Sequence, residues 1–135
     1  MQITSQPVGL WTPVYEYLPP GTMVRILAWD AWSYSGQMAQ CGPDGHRLSF
    51  VSPQNCITKD APVGALICKV GGGTADVKGT IFPAGSASIF TVPDGGGGLF
   101  MTINDELAGF DDNAGEVTVS VAVRLASGKG AGGAG

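Results

Sequence analysis

The sequence is poor in the groups on which most enzymes and nucleic-acid binders rely. It contains one histidine, His46, and only seven lysines and arginines in 135 residues. These cations are scattered, so no basic patch exists to meet phosphates and no nucleic-acid partner is expected. His46 lies in "GPDGHRL", which reads as a turn, so a solvated side chain is expected there rather than the base of a catalytic triad. No run reaches the roughly 18 to 20 apolar residues of a membrane helix, so membrane insertion is not expected. The start "MQITSQPVGLW" has neither a basic segment nor an apolar core like those of a secretion signal. Cytoplasmic synthesis is the expectation, with later export or action at a cell surface left open. Cys41, Cys56 and Cys68 are odd in number and show no CxxC spacing, which argues against a zinc or redox motif. They read as free structural thiols, with a Cys41–Cys56 bridge as the alternative. The glycine runs "GGGT" and "DGGGG" lack the Lys-Ser/Thr ending of a phosphate loop and read as turns.

What is abundant is turn chemistry. Twenty-two glycines and nine prolines punctuate the chain at "PPG", "GPDG", "GGG", "PAG" and "PDGGGG", leaving little room for long helices. Short apolar runs fill the intervals. In "EVTVSVAVR", Val117, Val119, Val121 and Val123 alternate with Thr118, Ser120 and Arg124, the period-two pattern of a half-buried strand. "LFMTIN" sets Leu99, Met101 and Ile103 against Phe100, Thr102 and Asn104, and "ALICKV" puts Leu66, Cys68 and Val70 on one side. "TMVRILAW" is ambiguous, because the 14 residues from Thr22 to Ser35 contain no Gly or Pro and could form an amphipathic helix. The preceding "PPG" turn and the alternation of Val24, Ile26 and Ala28 favour a strand. Seven or eight short strands at this spacing predict an all-β fold, a small jelly-roll-like β-sandwich over residues 1–124. Residues 125–135 read as a flexible Gly/Ala-rich tail.

The charge is unevenly placed. Only 13% of residues are charged, yet Asp105, Glu106, Asp111, Asp112 and Glu116 place five of eleven carboxylates within residues 105–116. That stretch is more negative than the chain's net charge of −4. Two such acids could serve a glycosidase, but nothing apolar beside them would raise one pKa for the proton-donor role. A cation relieves the repulsion more simply. Asp105, Asp112 and Asn113, in the spacing D-x6-D-N, supply the oxygen donors that calcium prefers. The spacing is not that of an EF-hand, and the flanks read as strands. The alternative for the segment is a charged, solvated hairpin loop.

The segments "LPPGTMVRILAWDAWSYSG", "CGPDGHR", "VGALICKVG" and "GLFMTINDELAGFDDNAGEVTVSVAV" stand in an order and spacing that resembles the bacterial galactophilic lectins, the LecA-like family of calcium-dependent galactose binders. The resemblance runs from about Trp11 to Val123. It implies a sandwich of two antiparallel sheets, a homotetramer, and one calcium at an end of each sandwich. Carried over by position, the metal ligands are the side chains of Asp105, Asp112 and Asn113 with the backbone carbonyls of Tyr34 and Gly109. The implied sugar contacts are Tyr34, Gln54, Asp105, Glu106 and Asp112. Two coordination positions would take vicinal hydroxyls of a galactose-containing glycan.

The chain departs from that pattern at several points. Asp112 replaces the first residue of an Asn-Asn pair, Asp111 stands where glycine is usual, and Glu106 stands where a small apolar residue is usual. Val51 and Ser52 occupy the place of a His-Pro pair, so Phe50 or Pro53 becomes a candidate apolar wall, with ordinary packing as the alternative for Phe50. Three functions therefore compete: a calcium-dependent galactoside lectin, a non-catalytic structural or attachment domain that binds a protein or another glycan, and an enzyme. The lectin is the expectation and the enzyme is the least favoured.

Overall fold

Alternation between apolar and polar side chains decides the architecture. We describe the protein from a computed structural model, in which residues 1–34, 40–46, 53–107 and 109–126 are described. Their strands are β1 (Gln2–Thr4), β2 (Thr12–Leu18), β3 (Met23–Trp29), β4 (Trp32–Ser33), β5 (Gln40–Cys41), β6 (Asp44–His46), β7 (Val63–Val70), β8 (Thr80–Pro83), β9 (Ala87–Thr91), β10 (Gly97–Ile103) and β11 (Ala114–Arg124). One sheet runs β5-β4-β11-β3-β9, with β1 also on β11. The other runs β2-β10-β7-β6, with β8 also on β7. All pairings are antiparallel, and no α-helix occurs among the described residues.

The ambiguous segment is a strand. β3 buries Val24, Ile26 and Ala28 and exposes Met23, Arg25, Leu27 and Trp29. β11 buries Val117 and Val119 and half-buries Val121 and Val123, in register with β3 through Val119↔Ala28 and Val121↔Ile26. Facing them from the second sheet are Leu66, Cys68 and Val70 of β7 and Leu99, Met101 and Ile103 of β10. The sandwich expected from the sequence is present, with more strands than the seven or eight expected. The excess comes from β1, β4, β5 and β6, which at two or three residues are too short to show a period.

β7 differs from its one-sided reading, because all eight of its residues are buried. Its outward side chains Ala65 and Ile67 join Trp11, Ala61 and Phe100 in a second, smaller apolar cluster. Lys69 belongs to that side as well and is fully buried. Its Nζ donates to Gly73 O (2.7 Å), Asp76 O (2.8 Å) and Asp76 Oδ1 (3.1 Å), and lies 4.9 Å from the Trp11 ring centroid. Burial of the cation is thus matched by three acceptors and an aromatic face. The Asp76 carboxyl is held below its ordinary range by the Gly73 N–H first and by Lys69 next.

The inward row of β3 should dominate stability. Ile26→Ala leaves a cavity between the two sheets and is expected to cost about 2–5 kcal/mol, read from the denaturation midpoint. A cost within about 0.5 kcal/mol, the range of a surface substitution, would contradict the assigned register.

Candidate functional site

The β7–β10 ladder places the acidic loop at one end of the sandwich. Beyond the last ladder pair, Gly64 N–H donates to Asn104 O and Asn104 N–H donates to Ala65 O, both at 2.8 Å. Asn104 is fully buried. Its Nδ2 reaches Thr58 O (2.9 Å), Ala61 O (3.0 Å) and Pro62 O (3.2 Å), while its Oδ1 accepts from Thr58 N–H (3.1 Å). That single amide ties segment 58–62 to the start of the loop. Ile57 N–H then donates to Asp105 O (3.0 Å), and Cys56 forms an isolated antiparallel bridge with Glu106. The 3₁₀ turn Pro53–Asn55, which carries the exposed Gln54, is therefore held next to the acidic loop.

The loop folds back through short turns. Gly109 N–H donates to Glu106 O (2.9 Å), and Asn113 N–H closes the 3₁₀ turn Phe110–Asp112 by donating to Phe110 O (3.1 Å). A Cβ on Gly109 would sit 3.3 and 3.4 Å from the two Asp105 carboxylate oxygens, so the Gly109 backbone lies directly against that carboxylate. Across the loop, β4 pairs with β11 through Ala114↔Ser33 and Gly115↔Trp32. Continued by one residue, this register sets Tyr34 opposite Asn113.

Tyr34 is itself tightly placed. It is buried, and its hydroxyl shares a 2.9 Å hydrogen bond with His46 Nδ1. The two rings pack edge to face, 5.4 Å between centroids. Gly64, at φ +84°, makes room for the phenol, since a Cβ there would fall 2.9 Å from Tyr34 Cδ1 and 2.5 Å from Cys41 Sγ. His46 thus corrects the sequence reading of a solvated turn residue. It is a half-buried strand residue whose partner lies twelve positions away.

Composition suggested a cluster of acids, and the structure separates them. Asp105 and Asn113 are buried at 3% and 5% exposure, whereas Glu106, Asp112 and Glu116 are exposed. Asp105 Oδ1 accepts from Glu106 N–H (2.8 Å), and Asn113 Nδ2 donates to Ser5 O (3.1 Å). The other oxygen of each side chain is left over. Among the described residues, four buried side-chain polar atoms have no hydrogen-bond partner: the Ser88 and Thr102 hydroxyls, Asp105 Oδ2 and Asn113 Oδ1. Burying such atoms unpaired is costly, so the unpaired carboxylate and amide oxygens mark a place for a cation or an ordered water.

The sequence reading that nothing beside the acids would raise a pKa is corrected by the fold, because burial pushes the Asp105 carboxyl up to about 6. The Glu106 N–H and the Asn113 amide oppose this rise, while the negative charges of Asp112 and Glu106 add to it. Burial, then the charges of Asp105 and Glu106, raise the neighbouring Cys56 thiol to about 11, so it stays protonated and is a poor soft ligand. No group of three or more His, Cys, Asp or Glu side chains suited to a metal occurs among the described residues. The donors gathered around Asp105 are instead hard oxygens from carboxylate, amide and backbone, a set that fits calcium and not zinc.

The structure therefore brings Asp105, Gly109 and Asn113 into one cradle, with Asp112 at its exposed side and Tyr34 across the strand pair. Gln54 and Glu106 are exposed neighbours of the cradle. Phe50, Val51 and Ser52 lie outside the described residues, as do residues 127–135 of the tail. No disulfide joins Cys41 and Cys56, which settles the alternative of a bridge between them. Ser5, Gly64 and Asn104 hold the cradle in place without having been singled out in the sequence. Gly64 and Asn104 stood within segments quoted for the family resemblance, whereas Ser5 carried no signal.

No family model and no curated protein matches the sequence. Among solved structures, the fold is similar to one described as "EclA N-terminal domain; PllA-like lectin". The TM-score is 0.66 over 92% of this chain and 94% of that one, at 20% identity. The two share a fold.

The buried carboxyl makes the metal-free protein sensitive to pH. Below about pH 4 Asp105 is protonated in both the folded and unfolded states, and its burial carries no ionic penalty. As the pH rises from the ordinary value of 3.8 through about 6, the unfolded chain releases its proton first and the fold loses stability. Asp105→Asn removes that titration. In chelator, its stability relative to wild type should be about 2–3 kcal/mol greater at pH 7 than at pH 4, measured by urea denaturation. Parallel pH profiles for the two proteins would contradict the assigned burial.

Proposed function

We propose that the protein is a non-catalytic, calcium-dependent lectin for terminal galactosides. The observation that carries this reading is the pair of buried, unpartnered oxygens, Asp105 Oδ2 and Asn113 Oδ1, at the end of a sandwich that shares its fold with a lectin domain. Calcium would be held by the side chains of Asp105, Asp112 and Asn113 with the carbonyls of Tyr34 and Gly109. A bound calcium supplies coordination positions at which sugar hydroxyls replace water. Tyr34, Asp105, Asp112, Glu106 and Gln54 are the proposed sugar contacts, the carboxylates accepting hydrogen bonds from the hydroxyls. The motif resemblance to galactophilic lectins supports galactose within this reading. Galactose offers a cis 3,4-diol that glucose lacks.

A shallow site of this kind buries little ligand area, so single contacts are weak and several sites must engage at once. A homotetramer is the proposed assembly. The competing reading, a structural or attachment domain that binds a protein or a different glycan, predicts no calcium-dependent binding of galactose.

Calcium should stabilise the fold, because binding to the native state alone adds RT ln(1 + [L]/Kd), roughly 2.7 kcal/mol at ~100 Kd. Thermal melts of stripped protein with and without calcium will show the shift, and Asp105→Ala and Asp112→Ala should each remove most of it. Because Asp105 must be ionised to bind, the shift should fade as the pH drops below about 6. An identical melting temperature in EDTA and in calcium would overturn the metal assignment.

Sugar binding should require the ion and discriminate at the 4-hydroxyl. Isothermal titration should give heat with galactose in calcium, none after chelation, and much weaker binding of glucose. Gln54→Ala should weaken galactose severalfold, since Gln54 is the expected polar contact at the 6-position. Equal affinity for glucose would sink the diol argument, and no heat with galactose in calcium would favour the attachment domain.

A further inference from the structure

The outward face of the β11-β3-β9 sheet is apolar at its centre and oppositely charged at its two ends. Met23, Leu27, Trp29 and Ile89 are 45%, 43%, 49% and 64% exposed, on a face of a sandwich that ordinarily turns polar side chains to water. The strand registers turn the face into a grid of rows. Arg124 pairs with Met23, Ala122 with Arg25, Ser120 with Leu27, and Thr118 with Trp29. Ile89 lies beside Arg25 on the β9 side. Both arginines therefore sit toward one end. At the other end stand Glu116, two residues beyond Thr118, and Asp30, whose carboxylate accepts the Thr118 hydroxyl. Two shallow depressions on the face share Arg25 and Ile89 in their linings, and neither includes a residue of the acidic cradle.

We propose that this face binds a second copy of the chain through a two-fold axis lying in the plane of the sheet, across the strands, along the Ser120–Leu27 row. The charges select this arrangement. Ser120 is midway between Arg124 and Glu116, each four residues or about 13 Å away along β11. Rotation about the crossing axis reverses the strand direction and lays Arg124 over Glu116 of the other copy. It also lays Arg25 over Trp29 of the other copy, a cation–π partner, with Asp30 adjacent. An axis parallel to the strands would instead set arginine end on arginine end, with like charges opposed. The two-fold operation makes every contact occur twice, and the apolar centre of the face is buried between the copies. This inference rests on the proposed homotetramer and names one of its interfaces, and it leaves the acidic loop at the sandwich end open to solvent.

The test is sedimentation velocity on the full chain over a dilution series, with four variants. Leu27→Glu should shift the protein to a species of half the wild-type mass or to monomer. Arg124→Glu and Glu116→Arg should each weaken this association by roughly tenfold, since the axis doubles each lost pair. The double exchange Arg124→Glu/Glu116→Arg should restore it, because each copy then presents the opposite charges. All three sites are exposed, and circular dichroism melts will confirm that the variants fold. A wild-type monomer across the series would overturn the proposal, as would Leu27→Glu without effect. A double exchange no better than the single reversals would overturn the orientation. Calcium-dependent stabilisation of the Leu27→Glu monomer separates failure of this interface from failure of the metal site.

Discussion

Strand β7 is the element on which both the core and the site depend. Every one of its eight residues is buried, one face in the main core and the other against Trp11 and Phe100. It pairs with β10 on one side and with β6 and β8 on the other. Its start also organises the loops. Gly64 O accepts the Trp32 indole N–H (2.7 Å), Gly64 N–H reaches Asn104 O (2.8 Å), and the missing Cβ of Gly64 leaves room for Tyr34. A strand fixed on both faces cannot slip, because a one-residue shift would exchange the two sets of buried side chains. The loop that follows β10 inherits that rigidity.

The rigidity gives the acidic loop its character. A carboxylate on a mobile hairpin would turn to solvent, as Asp112 does. Asp105 cannot do so, because its own carbonyl is bonded to Ile57 N–H and the preceding Asn104 is tied to three carbonyls. Its charge is buried with one oxygen unpaired, beside an amide oxygen in the same state, and the raised pKa expresses the same tension. A hard cation would resolve it by giving both oxygens a partner. The local conflict between burial and charge is what turns a charged turn into a candidate ion site.

Much of this was legible in the sequence, for identifiable reasons. β3, β10 and β11 are long enough for a period of two to emerge, and the density of acids pointed to the loop that holds the buried Asp105. The two-sided burial of β7 was not legible, since its outer face is covered by Trp11, more than fifty residues earlier in the chain. The short strands β4 and β5 have no period to read, yet β4 carries Tyr34 to the site. Nor could composition reveal which acids are buried: Asp105 and Glu106 are adjacent and chemically alike, and backbone pairing alone separates them. His46 was misread because its partner, Tyr34, meets it only in the folded chain.

The central claim is that the Asp105–Asn113 cradle is a calcium site, and terbium luminescence tests it most directly. Terbium shares the oxygen preference of calcium and emits when a nearby indole or phenol absorbs, and the β4–β11 register sets Trp32 opposite Gly115 and, continued by one residue, Tyr34 opposite Asn113. Titration should give sensitised emission that calcium displaces at a stoichiometry of one ion per chain, and Asn113→Leu should abolish it while the fold survives. Emission that persists undiminished in Asn113→Leu, or that calcium fails to displace, would contradict the account.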